Sequence, residues 1–199
     1  NDNAANGSIF IGYEAGDGAT AGANNIGIGY QAISAAMGAN ASYNTTLGYQ
    51  AGKLLSGNSN SNVVIGTFAM DAATENDRNV AIGYGALGSI STGEDGNIAI
   101  GYSAGASINQ ANADENVIIG FEAGTGGAGG AIQACTIIGA FAMQSTDTAT
   151  VTGQMAIGHK ALKSMTTGDQ NTCVGFLGGE DITTHSANTT LGWKAGMNI

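Results

Sequence analysis

A glycine preceded by Ile, Leu or Val recurs eleven times along this chain of 199 residues, and this repeat constrains the fold more than any other feature. Successive glycines, which we call the anchor glycines, are separated by 17, 19, 18, 17, 18, 19, 19, 19, 17 and 17 residues. Self-similarity at such a period is typical of stacked repeat architectures. The anchors are Gly12, Gly29, Gly48, Gly66, Gly83, Gly101, Gly120, Gly139, Gly158, Gly175 and Gly192.

Residue types around the anchor glycine are repeated from unit to unit. The residue one position before it is Ile, Leu or Val, and the residue three positions before it is Ile, Val, Thr or Met. This period of two predicts a short β-strand with a half-buried surface. We expect the anchor itself to mark a bend, a positive φ or a close approach of two backbones.

Three other positions are also nearly constant. The residue after the anchor is aromatic in eight units, and the residue three positions after it is Ala in ten, with Gly178 in the other. In most units an Asn lies four residues before the anchor, and Cys135 and Gln154 take its place in two. The small residue suits a crowded interior corner, and the Asn suits a turn or a side-chain ladder between coils.

The apolar side chains of one such unit are too few to offset the entropy of ordering its backbone, so the units must stack. We therefore expect an all-β fold, a parallel β-roll or β-solenoid of about eleven coils of 17–19 residues. Residues 1–199 would form this single repeat domain, a fragment of a longer fibre. Ten steps of about 4.8 Å predict a rod of roughly 48 Å.

Composition narrows the range of partners. The net charge is −10, with 15 Asp and Glu against 5 Lys and Arg, so the chain lacks the basic surface that binds nucleic acid. No apolar run approaches the roughly 20 residues of a membrane span, so we expect no membrane insertion of this segment. The 34 Gly and the lack of any Pro indicate many tight turns without a collagen-like period.

The repeat resembles that of a known family. The segments NVAIG (Asn79–Gly83), NIAIG (Asn97–Gly101) and QMAIG (Gln154–Gly158) are similar to the head repeats of YadA-like trimeric autotransporter adhesins. Longer units with an aromatic residue after the glycine look like those of phage tail-fibre and virion-associated proteins. The resemblance implies a left-handed parallel β-roll that assembles as a parallel homotrimer.

Several carboxylate, His and Cys side chains are of types used in catalysis or metal binding, but their positions indicate structural roles. The carboxylate pairs Glu94–Asp95, Asp114–Glu115 and Glu180–Asp181 lie in polar linkers, where solvated loops are expected. His159 replaces an aromatic ring, and neither it nor His185 has metal-ligand spacing to other residues. Cys135 and Cys173 lie two coils apart, so we predict buried free thiols rather than a disulfide. We therefore assign no catalytic, cofactor-binding or metal-binding residue.

These observations predict a non-enzymatic structural fibre segment with an adhesin or receptor-binding role. Its place would be extracellular, on a virion (as in a tail fibre) or on a cell surface, and its partners would be two further copies and a host-surface glycan or protein receptor. The alternatives are an ice-binding solenoid, a spacer, or a tailspike that depolymerises polysaccharide. Thr148, Thr150 and Thr152 alternate as an ice-binding row would, but in one linker only.

Overall fold

The structure, a computed structural model, describes residues 7–19, 22–36, 38, 41–110, 112–126, 131–145 and 150–197. In these residues the chain forms an eleven-stranded parallel sheet and a second, two-stranded sheet, with no helix. Successive strands of the large sheet are neighbours, so the chain advances by one coil per repeat. The structure thus confirms an all-β parallel solenoid with one strand before each of the eleven anchor glycines.

The strands are short, and all those of the large sheet contain three residues. In chain order they are β1 (Ile9–Ile11), β2 (Ile26–Ile28), β3 (Thr45–Leu47), β4 (Val63–Ile65), β5 (Val80–Ile82), β6 (Ile98–Ile100), β7 (Val117–Ile119), β8 (Ile132–Gln133), β9 (Thr136–Ile138), β10 (Val151–Thr152), β11 (Met155–Ile157), β12 (Thr172–Val174) and β13 (Thr189–Leu191). Strands β8 and β10 form the small sheet, and the others form the large one.

Pairing in the large sheet keeps equivalent residues of the unit opposite one another. Ile82 in β5 lies opposite Ile100 in β6, which lies opposite Ile119 in β7. The backbone bonds run between coils: the Gly101 N–H donates to the Ile82 carbonyl at 2.8 Å. Because equivalent positions stack along the axis, each position of the unit keeps one kind of side chain.

The interior next to the sheet contains two positions of the repeat. The middle residue of each three-residue strand from β2 onward points inward and is buried. The residue three positions after the anchor is also buried in every coil but the last, which confirms the predicted interior corner. Larger apolar residues such as Ile33, Met70 and Leu87 fill the space beyond it. The structure therefore confirms the period-two alternation along each strand. The half-buried side of the strand forms the outer surface of the solenoid.

The anchor glycines form a continuous stack of backbone contacts. All eleven have φ between +119° and +147°, a region that residues with a side chain rarely adopt. A Cβ added to any of the first ten would overlap the backbone of the next anchor glycine. Both expectations for this position, a positive φ and a close approach of two backbones, are confirmed.

Three further positions of every coil are left-handed: five residues before the anchor, and two and four residues after it. Many of them are not glycine, as Phe68 (φ 57°) and Met70 (φ 46°) illustrate. Each such residue costs roughly 1–2 kcal/mol relative to a right-handed conformation. The cost is offset because the Phe68 N–H bonds to the Tyr49 carbonyl of the preceding coil, and the Met70 N–H bonds to the Ala86 carbonyl of the following coil.

A buried amide ladder joins the coils at the Asn position. The Asn97 Oδ1 accepts the Asn116 backbone N–H at 3.1 Å, and the Asn97 Nδ2 donates to the Ala113 carbonyl at 2.8 Å. The same two bonds recur along the stack, so each buried Asn holds its own coil to the next. In the first coil the Ser8 Oγ accepts the Asn25 N–H at 3.0 Å. The ladder is thus a main source of polar contact in the interior.

Cysteine interrupts this ladder in one coil without breaking it. The Cys135 Sγ accepts the Gln154 N–H at 3.3 Å, and its one proton lies between the Gln133 carbonyl at 3.2 Å and the Val151 carbonyl at 3.8 Å. These are weaker contacts than an amide makes. Cys173 is the buried middle residue of β12, and both thiols are free, as predicted. Burial raises the pKa of the Cys135 thiol to about 11 and also raises the pKa of Cys173. Neither thiol is therefore in the reactive thiolate form at neutral pH.

The glycine stack predicts that Gly101→Ala destabilises the protein by at least about 3 kcal/mol, since strain at positive φ adds to displacement of the next coil. Gly93→Ala is the matched control, because Gly93 also has positive φ (+85°) but has nothing within 4 Å of its added Cβ. That variant should lose only about 1–2 kcal/mol. Urea unfolding of both variants measures the difference, and equal losses would contradict the role given to the stack.

The amide ladder predicts that Cys135→Asn is more stable than wild type and that Cys135→Ala is less stable. Asn restores a strong acceptor for the Gln154 N–H and a donor for the Val151 carbonyl, and we expect a gain of about 1 kcal/mol. Ala leaves both buried backbone groups without a partner and should cost about 1–3 kcal/mol. Thermal unfolding monitored by circular dichroism gives the order, and a destabilising Asn would show that the sulfur is preferred there.

Candidate functional site: an apolar sheet face and an aromatic ladder

Two ranks of side chains, one aliphatic and one of Ile, Val, Thr and Met, cover the outer face of the large sheet. They are the first and third residues of its strands, and we call this surface the apolar sheet face. The third residues are Ile11, Ile28, Leu47, Ile65, Ile82, Ile100, Ile119, Ile138, Ile157, Val174 and Leu191. Within the stack they are half-buried to exposed, and Leu47 is 46% exposed. Eleven strands of three residues give a flat surface on the order of 500 Å².

Alternation along each strand decides which side chains point outward. The middle strand residue points into the interior, and it is small in some coils (Gly27, Ala81) and large in others (Ile118, Ile137), where it is fully buried. Because side chains alternate along a strand, the first and third residues must point outward. The face is as large as the largest apolar patch of a typical monomeric protein, about 300–600 Å², and such patches are often binding surfaces.

An aromatic ladder runs beside the apolar sheet face, at the turn after the anchor glycine. Neighbouring ring centroids are 5.0–5.8 Å apart from the first coil to the tenth. The ladder consists of Tyr13, Tyr30, Tyr49, Phe68, Tyr84, Tyr102, Phe121, Phe141, His159 and Phe176. His159 stacks on Phe176 at 5.1 Å, so it occupies the place of an aromatic ring as predicted.

Ring geometry divides the ladder into stacked groups. Phe68 and Phe141 come from the second residue after the anchor, and each meets its neighbours edge to face at 68–88°. The other neighbouring pairs are stacked, with planes 7–13° apart. In a stack the ring faces lie against one another and the edges face outward. The stacked groups therefore offer ring edges to an external partner, whereas Phe68 and Phe141 are turned relative to their neighbours.

Carboxylates in the linkers serve the fold in several coils. The Asp95 Oδ1 accepts the Asp77 N–H at 2.7 Å, and the Asp114 Oδ1 accepts the Asp95 N–H at 2.8 Å. Asp77 in turn accepts the Asn60 N–H at 2.6 Å. These aspartates form a second ladder on the surface of the solenoid. In the Asp114–Glu115 and Glu180–Asp181 pairs one residue is half-buried and the other is exposed, as solvated loops would have them.

Glu94 differs from the solvated residue that we expected. It is fully buried, and its Oε2 accepts hydrogen bonds from the Asn76 Nδ2 at 2.9 Å and the Ser91 N–H at 3.1 Å. Its Oε1 and the Asn76 Oδ1 are buried without a hydrogen-bond partner. Asp95, the neighbour of Glu94 in the sequence, lies in the surface ladder. The two carboxylates of this pair therefore do not share a groove.

The remaining residues considered for a metal site or an ice-binding row do not come together in a site. Across the part of the chain that the structure describes, no three His, Cys, Asp or Glu side chains form a group that could hold a metal ion. His185 is exposed, and its carbonyl accepts the Asn171 Nδ2 at 2.9 Å. Thr148 lies outside the described residues, Thr150 is exposed, and Thr152 belongs to β10 of the small sheet.

Sequence reasoning identified the residues of the apolar sheet face but did not predict that they point outward. A signal was present in some coils only: Gly27 and Ala81 lie between two larger residues, whereas Ile118 at the same position is as large as its neighbours. The described residues contain no helix with the length and hydropathy that membrane crossing requires. Comparison with known protein families, with curated proteins and with solved structures finds no match for this chain.

The orphaned oxygens around Glu94 predict that Glu94→Gln stabilises the protein at neutral pH. The new amide removes a buried charge and can donate to the Asn76 Oδ1, so we expect a gain of about 1–3 kcal/mol. Glu115→Gln is the matched control, because it makes the same charge change at an exposed position in the next coil. Its unfolding free energy should change by less than about 0.5 kcal/mol. A Glu94→Gln variant less stable than wild type would contradict this view of the carboxylate.

Proposed function

We propose that this chain is a structural fibre segment that assembles laterally as a parallel homotrimer through the apolar sheet face and the aromatic ladder. The observation that carries the proposal is the row of aliphatic third residues, half-buried or exposed, on the outer face of all eleven strands. The lack of a covering element within the described chain favours cover by another molecule. Closed three-fold symmetry would cover the face on every copy without runaway growth.

The dimensions support a specific interface. The sheet face and the adjoining ring edges form a strip roughly 48 Å long and about 15 Å wide, or on the order of 700 Å² per copy. A stable protein interface buries about 800 Å² per partner. Its composition also agrees, since aliphatic and aromatic residues dominate the strip and charged residues are concentrated in the linkers.

An adhesin or receptor-binding role on a virion or cell surface, outside the cell, completes the proposal. It is supported by the similarity of the repeat to YadA-like adhesin heads and phage tail fibres, which also implies a left-handed roll. Since most rings of the ladder are stacked on a neighbour, we place the contacts of a host glycan or protein receptor mainly at the linkers. No catalytic step is part of the proposal, and a fibre segment that only spaces other domains is its simplest variant.

Ice binding is the second candidate, because one rank of the flat face is unusually regular. Ten of the eleven first strand residues are β-branched, and Thr45, Thr136, Thr172 and Thr189 are among them. Ice-binding surfaces need such a flat array in which Thr predominates. The Ile, Leu and Val of the neighbouring rank favour a protein partner over ordered water.

Light scattering after size exclusion tests the lateral assembly, and we expect three times the 19.6 kDa chain mass at micromolar concentration. Leu47→Glu should give monomers, because it places a charge in the apolar sheet face. Leu54→Glu is the matched control in the same coil, since Leu54 is 42% exposed but lies outside the face. A monomeric wild-type chain, or dissociation by both variants alike, would refute the proposal. Thermal hysteresis of a monomeric chain would then support ice binding, and release of reducing ends from a surface polysaccharide would indicate a depolymerase.

A further inference from the structure

The position seven residues before the anchor glycine is buried in seven successive coils. It is polar in three of them, and the seven residues are Ala41, Ser59, Asn76, Glu94, Ala113, Ile132 and Val151. Asn76 comes from the linker before β5 and Glu94 from the linker before β6, and their side chains are in contact through a hydrogen bond of 2.9 Å. The structure thus places an amide and a carboxylate side by side in a largely apolar interior.

Hydrogen bonds fix the orientation of both side chains. The Asn76 Nδ2 donates to the Glu94 carbonyl at 3.2 Å and to the Glu94 Oε2 at 2.9 Å. Both partners are acceptors, so the nitrogen of the amide, and not its oxygen, must point at them. The Ser91 N–H donates to the same Oε2 at 3.1 Å. The two donors therefore meet at one carboxylate oxygen of Glu94 and leave the other without any.

Two oxygens of this pair have no hydrogen-bond partner. Among the described residues four buried side-chain nitrogen or oxygen atoms lack one, and two of these are the Glu94 Oε1 and the Asn76 Oδ1. An ionised carboxylate and an amide oxygen are both acceptors, so they cannot satisfy each other. The ion pair of the described chain joins Arg78 to Asp95 at the surface and leaves Glu94 without a basic neighbour. Because a buried charge is costly unless it is paired, the two oxygens call for a positive ion.

Carboxylate and amide oxygens are the ligands that hard cations prefer. We propose that a hard metal cation, Ca²⁺ or Na⁺, binds the Glu94 Oε1 and the Asn76 Oδ1 between the linkers that precede β5 and β6. The ion neutralises Glu94 and joins two adjacent coils. With one carboxylate, the site differs in kind from a group of three His, Cys, Asp or Glu side chains. Few charged ligands give weak binding, so we expect a Kd on the order of 10⁻⁴–10⁻³ M, as in extracellular calcium modules.

Thermal unfolding with CaCl₂, with NaCl and without either tests the site, with choline chloride keeping the ionic strength constant. At a ten-fold excess over Kd, the ion that binds should raise the unfolding midpoint of wild type by roughly 3–6 °C. Glu94→Gln, which we expect to be the more stable protein in metal-free buffer, should gain nothing because its amide carries no charge. Glu115→Gln, the same change at an exposed position, should gain as wild type does. Comparing the two salts distinguishes a divalent from a monovalent occupant.

Isothermal titration calorimetry with the same salts measures binding directly. Wild type and Glu115→Gln should bind one ion per chain, and Glu94→Gln should bind it at least about ten-fold more weakly. Leu47→Glu should bind it as wild type does, because the site lies inside one copy, so the result does not depend on lateral assembly. An unfolding midpoint that neither cation raises, or one raised equally in Glu94→Gln, would overturn the proposal.

Discussion

Backbone hydrogen bonding between coils is the constraint on which the rest of this structure depends. A three-residue strand cannot satisfy its N–H and C=O groups alone, so each coil takes its partners from the coils on either side. That demand fixes the distance between coils, and the distance in turn decides which residues fit. At the anchor position two backbones approach so closely that only glycine is tolerated. Around it, residues such as Phe68 accept an unfavourable φ to keep both sides of the coil bonded.

The same constraint limits the residue at the corner of each coil. Within the coil, the turn after the anchor returns the chain toward its own strand, and Ala or Gly is all that the corner admits. Larger interior side chains lie at the middle strand position, as Ile118 and Ile137 do, or farther from the sheet, where Leu87 lies. The first and third strand residues alternate with the middle one, so they form the apolar sheet face on the outside.

The repeat itself made the main features of the fold predictable. The anchors Gly12 to Gly192 predict the number and position of the strands of the large sheet, but not β8 and β10 of the small one. The recurring Ala and Asn predict the interior corner and the ladder. Period-two alternation could not say which side of the strand faces inward, because Val and Ile suit either side of a sheet. Left-handed residues such as Met70 were not predictable, since their conformation is imposed by neighbouring coils. Glu94 was misjudged for a similar reason: its acidic neighbours indicate a loop, but its register places it in the interior.

A substitution at an anchor glycine also affects its two neighbouring coils unequally. A Cβ added to an anchor would point toward the following coil, so a side chain at Gly101 would displace the coil of Gly120 rather than the coil of Gly83. Because each coil contacts only its neighbours, the displacement is not distributed along the whole rod. A defect would divide the rod into two shorter rods, each still ordered, with the break always on the C-terminal side of the altered glycine.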